Sequence, residues 1–165
     1  MKKFVAGMLA LSVFSGCQST SSTSPAALKQ INGYNKKVTD LFVGIKTDGL
    51  PPEFGQSFVS NLTTQLSQRQ IKSTVLGFTD NAPLAKGAAQ QFNYSMLCAH
   101  AGISSYGKSI VYVKMRCALS EVKTNLVVMT VNFQTDRGWG VGFGDSEAHA
   151  ATEELVKQMG IAGLI

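Results

Sequence analysis

Apolar and polar positions recur with two different periods along this chain, and each change of period marks an element. Over 40–46, Leu41, Val43 and Ile45 share one face of a compact apolar run, the pattern of a buried strand. Asp48-Gly49-Leu50-Pro51-Pro52 breaks the run, and Pro52 suits the first turn of a helix. From about residue 53 to 70 the period becomes helical. Phe54, Phe58, Leu62 and Leu66 recur every four residues with Val59 beside them, while Gln, Asn, Thr and Arg69 cover the other side. The apolar-rich stretch 71–79 follows, completing a β-α-β unit whose crossover is right-handed if its strands are parallel neighbours.

Asp80-Asn81-Ala82-Pro83 reads as a turn and 84–91 as a short Ala-rich helix. A period of two then sets in. Phe92, Tyr94, Met96 and Cys98 share a face over 92–100, and Val111, Val113, Met115, Cys117 and Leu119 share one over 110–119, opposite Tyr112, Lys114 and Arg116. Residues 125–133 add a third strand of this meander, and 139–143 a fourth. A helix closes the chain over about 146–159, capped by Asp145 or Ser146, with Ala148, Ala151, Thr152, Leu155 and Met159 inward and Gly160 as its stop. The expected fold class is α+β: a two-layer domain with a mixed sheet of about five or six strands and two main helices on one face.

The first residues follow another logic. Met1-Lys2-Lys3 is positive, and 4–14 is an apolar run broken only by Gly7 and Ser12. Eleven helical residues reach about 16 Å, too short for a bilayer core that needs about twenty. The run ends in Val13-Phe14-Ser15-Gly16-Cys17, which resembles the lipobox of bacterial lipoproteins, with Phe14 where that family usually has Leu. The resemblance implies cleavage before Cys17, acylation of Cys17, and stable membrane anchoring, since two or more acyl chains hold a protein on a bilayer. Gln18 rather than Asp after the cysteine implies the outer membrane, facing the periplasm. On this reading 1–16 is a signal peptide, 17–37 a lipidated cysteine with a flexible Ser/Thr-rich tether, and 38–165 the periplasmic domain.

Cleavage changes the charge. Lys2 and Lys3 leave with the leader, and 149 residues remain with 13 basic and 10 acidic side chains. A net of +3, scattered along the chain, does not argue for nucleic acid. It also leaves Cys98 and Cys117 as an even pair in an oxidising compartment. If the hairpin turns at Gly107-Lys108, Tyr106 pairs with Ser109, Met96 with Leu119 and Cys98 with Cys117. Counted from that turn, 98/117 is a hydrogen-bonded pair with its Cα atoms farther apart, unless a bulge intervenes. A disulfide and two buried free thiols are the alternatives, and the register favours the bond.

Gly138-Trp139-Gly140-Val141-Gly142-Phe143-Gly144 is the other candidate site. As a strand it would line one face with glycines and the other with Trp139, Val141 and Phe143. Either a neighbouring element of the same domain packs there, or Arg137 and Trp139 anchor a partner. It lacks the spacing of a phosphate loop, and no cofactor is expected. No catalytic or metal constellation stands out. Cys98 and His100 share a strand face without a third member, His100 and His149 are the only histidines, and Glu153 and Glu154 diverge by about 100° on a helix.

In element order, and in stretches such as LFVGIKTDGLPPEF and AAQQFNYSMLCAHAG, residues 38–160 resemble the small domain of the TolB N-terminal part, the curli-secretion lipoprotein and the lipoprotein activators of penicillin-binding proteins. The resemblance implies a non-enzymatic lipoprotein that binds a protein partner in envelope assembly, secretion or cell-wall synthesis. A self-assembling ring or pore-collar subunit is the second expectation, with a small hydrolase or ligand binder as the third.

Overall fold

The computed structural model describes residues 23–79, 84–138 and 142–165. Cys17, Trp139, Gly140, Val141 and the expected turn at 80–83 lie outside the described residues. In chain order the elements are β1 (Thr23–Gln30), β2 (Asp40–Lys46), α1 (Pro52–Gln68), β3 (Lys72–Phe78), α2 (Leu84–Ala89), β4 (Tyr94–Tyr106), β5 (Ser109–Glu121), β6 (Leu126–Asp136) and α3 (Asp145–Ile161). Among them the strands form one six-stranded mixed sheet in the order β1-β6-β5-β4-β2-β3. β2 pairs in parallel with both β3 and β4, and the remaining pairs are antiparallel. α1 and α3 lie side by side on one face. The α+β class, the β-α-β opening, the meander and the closing helix all stand as the periodicity has them.

The core lies between those two helices and the sheet. Phe54, Phe58, Leu62 and Leu66 of α1 and Ala148, Ala151, Leu155 and Met159 of α3 meet Leu41, Val43, Ile45, Met96, Met115, Leu119 and Val131. Burial of this apolar surface is the main favourable term in folding, roughly 25 cal/mol per Å². α3 ends in a motif set by Gly163 rather than by Gly160. Leu164 N–H reaches Met159 O at 3.0 Å, Gly163 N–H reaches Gly160 O at 2.9 Å, and Gly163 has φ +67°. Gly160 is simply carried inside the helix.

Several expectations need correction. Residues 23–30, taken above as part of the tether, form an edge strand on β6. Leu28 sits opposite Val131 and packs on the core, and the edge position tolerates Pro25. The expected strand over 139–143 is not formed where it is described: Gly138, Gly142 and Phe143 lie outside any strand. Phe143 instead packs on Phe54, ring centroids 5.2 Å apart. Gly144, not Asp145 or Ser146, is the N-cap of α3. Phe92 precedes β4 and meets Phe42, at 6.1 Å, on the sheet face away from α1 and α3.

The β4–β5 hairpin turns at Gly107-Lys108, with Gly107 at φ +61°, and pairs Tyr106 with Ser109. Two compensating register shifts follow, at Ala101 on β4 and at Val111 on β5. Each inserts one residue and reverses the alternation. Ile103 and Ile110 thereby reach the core, while Val111, expected inside, is exposed. Beyond both shifts the register returns to that of an undisturbed hairpin, and Cys98 faces Cys117.

Candidate interaction surface

Cys98 and Cys117 are bonded, with Cα atoms 4.1 Å apart and both side chains fully buried. That separation belongs to a non-hydrogen-bonded pair, typically about 4.5 Å, and the extra residue at Ala101 explains the change from the hydrogen-bonded parity of an unbulged ladder. The bond removes Cys98 as a nucleophile. His100, on the same face, has its Nδ1 buried without a hydrogen-bond partner among the described residues, and its ring rests against Gly49.

The other titratable candidates are dispersed. His149 and Glu153 form an exposed i,i+4 pair at 3.3 Å. Glu154 turns inward and binds Gln158 at 2.7 Å and Lys157 at 3.3 Å. Among the described residues no three His, Cys, Asp or Glu side chains are grouped to hold a metal ion.

A hollow of about 510 Å³ opens where β2 and β3 end beside the start of α1. Thr47, Leu50, Pro51, Gly55, Val59 and Gly77 line it, and none of its lining residues titrates near neutral pH. It offers a shape without acid or base. Arg137, at the end of β6, bonds through its backbone N–H to Val111 O at 2.8 Å. It lines a smaller recess of about 130 Å³ with Lys108, Ser109, Ile110, Pro51, Gly142 and Phe143. Arg137 therefore sits at the sheet end nearest the glycine-rich segment, while the position of Trp139 beside it lies outside the described residues.

Glu147 fixes that segment at its base. Its carboxylate accepts the backbone N–H of Gly138 at 3.0 Å and of Gly144 at 2.9 Å, and the Ser146 hydroxyl at 3.0 Å. Burial pushes its pKa up, but these donors outweigh burial and leave the carboxyl below its ordinary value. Sequence reading missed this role of Glu147. The signal was a glutamate three residues after Gly144, the spacing of a capping box.

The sheet face turned away from α1 and α3 is the surface sequence reading missed. Phe42, Gly44, Leu76, Phe78, Leu97 and Ala118 share it by register. A Cβ at Gly44 would lie 3.1 Å from Phe78 and 3.5 Å from Leu97, so these side chains close over the bare backbone. Leu97 is 53% exposed and Leu76 48% exposed. A shallow groove of about 290 Å³ runs between Phe42, Leu97 and Ala118. Large apolar side chains grouped in water mark an interaction surface more often than an idle one.

The arrangement defines a class: a two-layer α+β domain with one sheet face covered by helices and the other carrying an apolar patch. Solved structures are similar to it in fold. A PelC dodecamer from Paraburkholderia phytofirmans superimposes with a TM-score of 0.53 at 16% identity, over 85% of this chain and 99% of that one. Lipoprotein GNA1162 from Neisseria meningitidis gives 0.47 at 10% identity, over 74% and 96%. The likeness to PelC is one of fold. No protein-family model matches the sequence. Comparison with curated proteins also gives no match.

Proposed function

We infer that the protein is an outer-membrane lipoprotein, anchored through Cys17 and facing the periplasm, that acts by binding protein rather than by catalysis. The exposed apolar face around Leu76 and Leu97 carries this reading. It offers contact area, while the hollow beside the start of α1 offers no group to move a proton. Anchoring concentrates the domain at the bilayer, so modest contacts suffice to hold a partner there.

Self-association is the form of this binding that the comparisons favour, because the PelC structure sharing the fold is a dodecamer. The alternative is an adaptor for a different envelope protein. Sedimentation of residues 18–165, a fragment that keeps β1, separates the two. Concentration-dependent assembly supports a ring or collar, and a monomer at all concentrations supports the adaptor. Photo-crosslinking in cells from Leu97 then identifies what lies on the face. A crosslink to no protein would end the binding reading.

A further inference from the structure

Fifteen consecutive residues of α1, from Phe54 to Gln68, contain no charged side chain. Gln56, Ser60, Thr63, Thr64 and Ser67 are exposed along this stretch. A helix face that stays in water ordinarily carries charge, and loss of charge marks the centre of a protein interface. The Thr63 and Thr64 hydroxyls donate to the Val59 and Ser60 carbonyls at 2.8 and 3.0 Å. Their donors are thus already used within the helix, and covering them strands none.

The ends of this neutral face are acidic: Glu53 opens α1, and Asp145 and Glu153 are exposed on the neighbouring α3. The basic residues on that side are Arg69, bonded to the neutral Gln65 at 2.6 Å, and Lys157, paired with Glu154 at 3.3 Å, so acidic side chains still outnumber basic ones there. The outer sheet face has the opposite rim. Around Leu76, Leu97 and Ala118 stand Lys29, Lys72, Lys114 and Arg116, all four exposed. Two acidic residues share this face, Asp40 opposite Lys72 and Asp136 beside Ser24 and Gln134, so the four cations leave it net basic. Two neutral patches on opposite layers, with rims of opposite sign, complement each other. Either one set against its own copy would bring like charges together.

We propose that the outer face of α1 in one copy docks on the outer sheet face around Leu97 of the next. The contact is heterologous, so every pair keeps one free face of each kind. Repetition then grows a ring where the rotation closes. This rests on the self-association reading above and assigns its two surfaces.

The test compares the full chain in density-matched detergent micelles with Leu97→Lys and Thr64→Lys, by sedimentation, with circular dichroism to follow folding. Both positions are exposed, and Leu76→Lys replaces the sheet-face variant should Leu97→Lys misfold. The wild type is expected to form assemblies larger than a dimer, and each variant alone is expected to associate at least tenfold more weakly. An equimolar mixture of the two variants is expected to give one-to-one dimers, since one retains an intact helix face and the other an intact sheet face. Assembly that survives in either variant overturns the assigned faces while self-association stands. Variants that remain monomeric when mixed overturn the proposal, since the intact helix face of one should dock on the intact sheet face of the other. A wild-type chain that is monomeric throughout overturns both readings.

Discussion

The Glu147 carboxylate accepts the backbone N–H of Gly144, three residues earlier, at 2.9 Å, and ties the start of α3 to the end of the glycine-rich segment through a second bond to Gly138. A carboxyl with its folded pKa depressed contributes stability above its unfolded pKa and loses it as pH falls through the folded one. Glu147→Gln is expected to cost about 2 kcal/mol at pH 7, the range for hydrogen bonds to a charged group. The gap between wild type and variant should narrow below the ordinary value of 4.5. Denaturant unfolding from pH 7 to pH 3 measures it, and a gap that stays constant would remove the assigned role.

The bond between Cys98 and Cys117 closes a loop across 19 residues of sequence inside the core. Replacing both cysteines by alanine should lower stability by about 3 kcal/mol. Urea unfolding gives the difference. Thiol titration of the unfolded, unreduced chain should find neither residue free, and two reactive thiols would refute the bond.

Gly49 occupies the third position of a turn in which Leu50 N–H bonds Thr47 O at 3.0 Å, and its φ is +76°. That conformation costs an L-residue about 1–2 kcal/mol. A Cβ there would also lie 2.9 Å from His100 Nε2. Gly49→Ala should therefore cost about 2 kcal/mol or more. In a His100→Ala background the backbone part alone should remain. A double-mutant cycle reads the difference, and equal penalties in both backgrounds would show that the ring is not the obstacle.

β1 completes the sheet, and removing it would bare the β6 edge. A fragment beginning at residue 31 should unfold at lower denaturant and aggregate more than one beginning at residue 18. Identical unfolding midpoints would mean that 23–30 contributes nothing to the fold.

Much of this architecture is legible in the chain. The four-residue spacing of Phe54, Phe58, Leu62 and Leu66 specifies α1, and Gly107 specifies the hairpin register that brings Cys98 to Cys117. The bulges were not read, because plain alternation over 110–119 put Val111 inside. Ile103 and Ile110 reach the core only because each strand carries one extra residue, a feature set by the pairing across the hairpin. β1 was harder because TSPAALKQ combines a proline with weak strand formers, and its pairing on β6 is decided by partners a hundred residues away. The outer sheet face was hidden for a related reason. Leu76 and Leu97 are unremarkable singly and become a patch only when β2 sets their strands on either side of Gly44.

The whole account depends on where the chain resides. Intact-mass analysis of the protein isolated from cell envelopes tests this directly. The account predicts a mature chain beginning at Cys17 and carrying lipid on that residue. A chain that retains residues 1–16, or that has an unmodified thiol at Cys17, would contradict it.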